Sequence, residues 1–246
     1  TYAPLDTGEF QFTIGKYKSS GNYITNKAKQ DAFYMSQLVS KFVPGQSRAI
    51  METLETDIFA LQSEQTASGL NNINGAPHRF VGSGTNEVMA AADFAKARFS
   101  LKKANVPDTN LIAIVDPSVE YEMNTISNIT NVSNNPRWEG IVSSGIASGM
   151  SFIANIYGFD VYTSNYLADA NETINSVTTA AGKANLFFSA SSDILPFVGA
   201  WRQMPQVDSE YNKDKQREEY VTTARYGVKL YRPENLVCVL TDTDQV

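Results

Sequence analysis

The chain has 246 residues, of which 42% are hydrophobic and 19% are charged, and its formal net charge at pH 7 is −6. This composition can build one large domain or two small ones, and it excludes a disordered or collagen-like chain. The acidic balance disfavours direct binding of nucleic acid, because the sequence offers no basic stripe to the phosphates.

Two rare residue types limit the chemistry further. The single cysteine, Cys238, excludes an internal disulfide, and with the single histidine, His78, it excludes a zinc site built from several Cys or His ligands. No apolar run is long enough for a transmembrane helix. The chain begins with Thr1 and no apolar signal-peptide core follows, so we interpret it as a processed chain or a fragment.

The N-terminal region predicts an extended arm. Polar and apolar residues alternate over Glu9–Ile14, which indicates a strand at the start of an arm over residues 9–29. The arm has too few apolar residues to fold alone. We therefore expect its side chains Phe10, Phe12 and Ile14 to contact another subunit, which would also satisfy the hydrogen bonds of the arm's backbone.

A long amphipathic helix is predicted next. An apolar cluster over residues 32–43 ends at Pro44, where a break in the structure is expected. The spacing after Ser47 predicts a helix over residues 47–66. Its apolar stripe consists of Ile50, Met51, Leu54, Ile58 and Leu61. Residues 67–85 are rich in Gly and Asn and are interpreted as a loop.

The middle of the chain predicts a second helix over residues 86–104. Thr85 or Asn86 would be its N-cap, and Asn105 would end it in the left-handed conformation. Ala91 is expected to be buried in this helix, so that Ala91→Asp would destabilise the protein by several kcal/mol.

A central sheet is predicted around the strongest local pattern. The apolar run Leu111–Val115 predicts a strand, and the following Asp116-Pro117 predicts an N-cap and the first residue of a helix over residues 117–126. With residues 159–164 and 185–189, this strand would form a sheet covered by the helices over 86–104 and 117–126.

The C-terminal region predicts two further strands. Tyr226–Leu230 and Leu236–Leu240 both read as buried strands. We expect the helix over 47–66 to pack against their apolar side chains, because a helix of this length needs a partner in water. Those side chains are Val228, Leu230, Val237 and Val239.

The candidate reactive residues have simpler structural explanations. Each of the following groups matches only part of a functional pattern: His78 in a polar loop, Ser148 in an imperfect Gly-x-Ser-x-Gly, Ser100 with Lys103, the pairs Glu52/Glu55 and Glu218/Glu219, Gly82-Ser83-Gly84, and Asp116 as a metal ligand. The glycosylation triplets at Asn128, Asn131 and Asn171 are about as many as chance would give. The sequence therefore predicts no catalytic, cofactor-binding or metal site, and no cofactor; it indicates an α/β protein with an arm that assembles.

Five segments, in order, resemble the major capsid protein of tailed bacteriophages, which has the Hong Kong 97-type fold. They are Gly8–Ile14 with the following arm, Arg48–Leu61, Leu101–Pro107 with Leu111–Pro117, Tyr157–Ser164, and Arg225–Leu240. The resemblance implies an α+β fold with an extended E-loop, a discontinuous P domain with a long spine helix, and an A domain whose central sheet is flanked by helices. It assigns residues 1–32 to the arm and E-loop, 33–85 to the P domain, 86–200 to the A domain, and 201–246 to a return through the P domain.

The resemblance also implies partners and a function. Copies of the chain would assemble as pentamers and hexamers into an icosahedral shell around double-stranded DNA, in the host cytoplasm and then in the virion. Scaffolding, portal or cementing proteins would be the other partners, with only weak contacts to packaged DNA and none to a membrane. Some relatives cross-link an E-loop lysine to a neighbouring Asn, and the arm has Lys16, Lys18, Lys27 and Lys29, but the sequence identifies no partner.

Other functions remain open at this point. Encapsulins share the fold and form shells of non-viral origin. An α/β enzyme with an unrecognised site and a non-enzymatic binding protein such as an adhesin are the alternatives from other classes.

Overall fold

The computed structural model describes residues 11–31, 35–67, 71–125, 152–179 and 182–243. Its helices are α1 (Asn26–Asp31), α2 (Met35–Phe59), α3 (Gln62–Ala67), α4 (Ala91–Lys103) and α5 (Pro117–Thr125). Its strands are β1 (Lys16–Thr25), β2 (Asn72–Ile73), β3 (Ala76–Pro77), β4 (Arg79–Val81), β5 (Leu111–Val115), β6 (Phe152–Ile156), β7 (Phe159–Thr163), β8 (Thr173–Ile174), β9 (Val177–Thr178), β10 (Gly182–Ser189), β11 (Phe197–Asn212), β12 (Arg217–Leu230) and β13 (Val237–Asp242).

The chain divides into two compact units, and each is made from two separate stretches of sequence. The first unit combines the residues up to Glu55 with Val198–Lys229. The second unit combines Thr56–Phe197 with the residues from Leu230 onward.

A three-stranded sheet in the order β1-β12-β11 forms the first unit. Strand β1 pairs antiparallel with β12 along its whole length, from Lys16 opposite Tyr226 to Thr25 opposite Arg217. The prediction that a neighbouring subunit satisfies the backbone of the arm is therefore wrong for this strand. Residues 26–31 are also helical rather than extended.

The segment before β1 lies against its own chain. A Cβ added to Gly227 would come within 2.8 Å of the Thr13 carbonyl oxygen and 3.0 Å of the Ile14 Cα. A ring carbon of Phe12 lies 3.3 Å from the same position. Only a residue without a side chain allows this approach, and the expected subunit contact of Phe12 is replaced in part by one within the chain. Phe10 lies outside the described residues.

Helix α2 begins earlier than predicted and continues through Pro44. A proline inside a helix removes a backbone hydrogen bond and usually breaks the helix. Here the helix contacts another part of the chain within one turn after Pro44. Gln46 is 3% exposed, its Nε2 donates to the Tyr220 carbonyl at 3.2 Å, and its Oε1 accepts from the Thr222 hydroxyl at 2.8 Å. The helix is anchored to β12 on the C-terminal side of the proline, and this anchoring outweighs the local preference for a break.

The predicted helix over 47–66 is present, but a turn at residues 60–61 divides it into the end of α2 and α3. Ile50 is only 2% exposed, as the apolar stripe predicts. Met51 is 50% exposed, so it does not belong to the buried face.

A six-stranded mixed sheet in the order β4-β13-β10-β5-β7-β6 forms the centre of the second unit. The three predicted strands β5, β7 and β10 are confirmed, with β5 antiparallel to β10 and parallel to β7. Helices α4 and α5 contribute Phe94, Ala97, Val119 and Met123 to the apolar core beside the sheet.

Strand β13 is a central strand of this sheet, between β4 and β10, and all six of its residues are buried. Val237 and Val239 join the core that contains Phe80 and Phe94, so the predicted packing of these two valines against the helix over 47–66 is wrong. Helix α3 meets the C-terminal segment differently, because Gln65 Nε2 donates to the Leu236 carbonyl at 2.8 Å.

The region interpreted as a loop, residues 67–85, contains strands β2, β3 and β4.

Helix α4 begins at Ala91 rather than near residue 86, and Asp93 Oδ2 accepts a hydrogen bond from the backbone N–H of Ala90 at 2.9 Å. Ala91 is therefore the first residue of the helix and only half-buried. Asn105 has a φ of 60°, which confirms the predicted left-handed end of the helix.

Candidate functional site

His78 is a structural residue inside the second unit. Its side chain is fully buried, and Nδ1 lies 3.1 Å from the Ala76 carbonyl oxygen. Burial lowers the pKa of the imidazole, which favours the neutral ring. Its backbone carbonyl accepts from the Cys238 N–H at 2.9 Å, a contact that joins β4 to β13. The Ser100 hydroxyl donates a hydrogen bond to the Pro77 carbonyl oxygen at 2.6 Å. This arrangement holds strands and helix together and presents no activated nucleophile.

Sequence reasoning missed a buried ion pair next to His78. Arg79 is 1% exposed, and its Nε and Nη2 donate to the two carboxylate oxygens of Glu172 at 2.8 and 2.7 Å. Its Nη1 donates to Gln62 Oε1. The partners are far apart in sequence, so no local pattern could predict the pair.

Cys238 lies in the same buried region, where desolvation raises the pKa of its thiol to about 12, so the thiol stays protonated at neutral pH.

Three of the paired carboxylates, Glu52, Glu218 and Glu219, have cationic partners. Glu52 accepts from Arg48 Nε at 2.9 Å one helical turn away. Lys29 Nζ lies 2.5 Å from Glu218, and this hydrogen bond lowers the pKa of the Glu218 carboxyl. Arg217 Nε lies 2.5 Å from Glu219 and lowers the pKa of that carboxyl in the same way. Both carboxylates are thereby favoured in the charged form, which does not suit an acid–base pair.

Asp116 is an N-cap, as predicted. Its Oδ2 accepts from the backbone N–H of Ser118 at 3.0 Å and from the Ser118 hydroxyl at 2.8 Å.

Within the part of the chain that the structure describes, no group of three His, Cys, Asp or Glu side chains is placed to hold a metal ion. In the same part, no helix is both long and apolar enough to cross a membrane. Ser148, Asn128 and Asn131 lie outside the described residues.

An apolar groove with a volume of about 280 Å³ lies in the first unit between α2 and β1. We call it the α2–β1 groove. It is lined by Gly21, Asn22, Tyr23 and Ile24 of β1, Val39, Phe42, Val43 and Gln46 of α2, and Tyr220 of β12. Phe42 and Tyr23 are 52% and 59% exposed. Such aromatic exposure on a concave surface is typical of a contact site for another macromolecule.

The second prominent surface is the distal part of β11, over Met204–Glu210, which we call the β11 strip. Met204 is 70% exposed, and Gln206, Asp208 and Glu210 are also exposed. These four residues alternate along the strand and therefore share one face. The face carries one apolar side chain and two carboxylates.

A comparison with known protein families shows what kind of protein this chain is. The model of the phage capsid protein family matches residues 8–239, which is nearly the whole chain. The chain belongs to the phage capsid protein family. It is a structural capsid protein that assembles with other copies of itself as a component of the virion. A search of curated proteins finds no relative by sequence.

Solved structures support the fold of this capsid protein. It is similar to Mycobacterium phage Che8, with a TM-score of 0.64 and 17% identity over 92% of this chain and 71% of that chain. It is also similar to the capsid structure of the Cyanophage P-SCSP1u, with a TM-score of 0.63 and 14% identity over 97% of this chain and 80% of that chain. An encapsulin from Synechococcus elongatus is less similar, with a TM-score of 0.53 and 13% identity over 91% and 72% of the two chains. At these identities the likeness concerns the fold.

The amino-acid sequence indicates the apolar residues of the α2–β1 groove but not the groove itself. Val39, Phe42 and Val43 belong to the apolar cluster over 32–43, which was expected to be separated from the next helix at Pro44. Because α2 continues through Pro44, these side chains stand on the same helix as the buried Gln46 and Ile50. The signal was the apolar cluster itself, and its position on the helix could not be predicted across a proline.

Proposed function

We propose that this capsid protein forms pentamers and hexamers that close into an icosahedral shell around double-stranded DNA. The match of the family model to residues 8–239 is the observation that carries the proposal. The absence of an activated nucleophile or acid–base pair around His78, Glu52 and Glu218 fits a structural role rather than an enzymatic one.

In this proposal the long helix α2 is the spine helix of the P domain, and strands β5, β6, β7 and β10 with helices α4 and α5 belong to the A domain. Residues 1–32 would contain the arm and E-loop, and the P domain would use residues 33–85 and 201–246 around the A domain at 86–200. The discontinuity is supported by the two compact units, because each of them combines an early stretch of the chain with a late one.

The charge of the chain suits a shell that holds DNA loosely. With a net charge of −6, the protein offers few cations to displace counterions from phosphates, so its affinity for DNA should be weak. Portal, scaffolding or cementing proteins would supply packaging and reinforcement. Assembly would take place in the host cytoplasm.

Electron microscopy of the expressed full-length chain tests this proposal. Closed shells with five- and sixfold capsomers are expected. Discrete monomers or dimers at every concentration and ionic strength would contradict it. Shells from host lysates that protect double-stranded DNA from nuclease support the phage capsid, whereas shells of the same fold that hold protein and no DNA would favour the encapsulin-like alternative.

A further inference from the structure

We infer that the α2–β1 groove of one copy binds the β11 strip of the next copy, and that this contact joins subunits head to tail within a capsomer. The inference rests on the proposed function, since a second copy of the chain is the partner. It names the surfaces through which two copies meet.

The groove is suited to an apolar side chain. Phe42 leaves about half of its surface in water although it stands four residues before the buried Gln46. Both polar ends of the Gln46 amide already have partners within the chain, Tyr220 and Thr222. The floor of the groove therefore requires no hydrogen bond from an occupant, and covering Phe42 would remove apolar surface from water.

The β11 strip offers such a side chain. Among the residues that the structure describes, Met204 is the most exposed large hydrophobic side chain, at 70%. Methionine is flexible and adapts to irregular apolar pockets. β11 is an edge strand that contains Pro205, which cannot donate a backbone hydrogen bond. The contact is therefore made by side chains and not by adding a strand to the sheet.

The charges around the two surfaces are complementary. The segments that line the groove, residues 16–31, 35–46 and 217–220, carry five lysines and Arg217 against three acidic residues, Asp31, Glu218 and Glu219, so their charge is net positive. Among them, Lys41 precedes Phe42 directly, and Lys27 follows Ile24 by three residues. The strip carries Asp208 and Glu210 and no basic residue. Opposite charges at the rim of an interface speed association and select the partner.

The position of the two surfaces determines the kind of assembly. The groove lies against β1 and β12, whereas the strip lies on β11 at the opposite edge of the same sheet. A contact between two different surfaces is heterologous, so each copy can bind one neighbour through its groove and another through its strip. Such contacts generate a closed ring or an open chain, and a ring is what a pentamer or hexamer requires.

Two variants that each disable one surface test the inference. Phe42→Asp places a carboxylate in the groove, and Met204→Asp places one in the strip. Each variant alone should remain monomeric, as measured by analytical ultracentrifugation. Mixed in equal amounts, they should form a one-to-one dimer and no larger species, because the strip of the first variant and the groove of the second are intact. Both positions are at least half exposed, so thermal melting should be unchanged, and Phe42→Ser provides a second groove variant without a charge.

Matched controls separate this contact from general surface effects. Met51→Asp changes an equally exposed residue on the same helix outside the groove, and Val207→Asp changes a strip residue on the opposite face of the strand. Both should assemble like the unmodified chain. Self-assembly of Phe42→Asp or Met204→Asp, or a mixture that stays monomeric, would overturn the inference.

The failure of this contact and the failure of the shell can be told apart. If the unmodified chain forms shells and the mixed variants stay monomeric, the contact is wrong and the shell stands. If the mixed variants form the dimer while the unmodified chain forms only open chains, the contact stands and the proposed function is wrong.

Discussion

The guanidinium of Arg79 and the carboxylate of Glu172 form a two-pronged ion pair in which the Arg79 side chain is fully enclosed. The pair connects β4, in the central sheet, to the segment that leads into the β8–β9 hairpin. A charged group in such a place depends on its partner, because burial has removed the water that would otherwise solvate it.

The first prediction concerns this pair. Glu172→Gln leaves the buried Arg79 charge without the carboxylate of Glu172, and it should lower the free energy of unfolding by about 2–4 kcal/mol, measured by denaturant titration of the monomeric chain. The double change Arg79→Met with Glu172→Met should cost less than the single one, since no charge remains buried. The more exposed pair Lys183–Asp169 is the control, and Asp169→Asn should cost at most about 1 kcal/mol. Equal effects of the two single changes would contradict the importance of burial.

A second prediction follows from burial of His78. Since burial holds the folded-state pKa below the ordinary value of 6.5, the unfolded chain binds a proton that the folded protein does not. The free energy of unfolding should therefore be fully present above pH 6.5 and should fall as the pH drops from there towards the folded-state pKa.

The variant His78→Gln, which has no titrating ring, checks this effect. Its free energy of unfolding should vary less than that of the unmodified chain between about pH 7 and 5.5. His78 is the only histidine in the chain, so no other imidazole titrates in this range. Identical pH slopes for the two proteins would show that His78 does not have the lowered pKa.

The third prediction concerns the close approach at Gly227. A Cβ there would meet the backbone of residues 13 and 14 at 2.8–3.0 Å, so Gly227→Ala must displace the segment that precedes β1. We expect a loss of about 1–3 kcal/mol in thermal or denaturant unfolding. Gly199→Ala is the matched control on the same sheet, because its nearest neighbours lie at 3.4 Å or more. A variant at Gly227 that is as stable as the one at Gly199 would exclude this contact.

The fourth prediction corrects the expectation for Ala91. As the half-buried first residue of α4, it can be replaced by Asp with a change within about 1 kcal/mol, because a negative charge is favourable at the start of a helix. Ala97 is fully buried in the core on the same helix, and Ala97→Asp should cost at least about 3 kcal/mol. Chemical denaturation of the two variants measures the difference. A large loss at Ala91 with a small loss at Ala97 would mean that the helix faces the core with its other side.

The elements that could be predicted from sequence are those whose structure is determined by neighbouring residues. The strand Leu111–Val115 and the cap at Asp116 were predictable because an apolar run and an Asp-Pro pair favour the same structures in any context. The loop predicted over residues 67–85 is wrong because a distant part of the chain holds this segment in place. Arg79 has Glu172, which lies 93 residues away in sequence.

The assembly surfaces could be predicted only in part. The apolar cluster over 32–43 was recognised, but Pro44 concealed its continuity with the following helix, since the contacts of Gln46 with β12 that stabilise the helix there come from residues more than 170 positions later. The arm was expected to find its backbone partners in another subunit. Its true partner, β12, is polar and was not recognisable as a strand over its first half.

The pairing of β1 with β12 has a consequence for the order of events during protein synthesis. β1 leaves the ribosome about two hundred residues before its partner, and the central sheet likewise waits for β13. Contacts between such distant stretches form late and slowly. An unfinished chain that stops before residue 217 has neither a complete sheet nor the Tyr220 wall of the α2–β1 groove. A truncated product would thus lack the complete groove that, in the contact inferred above, joins one copy to the next.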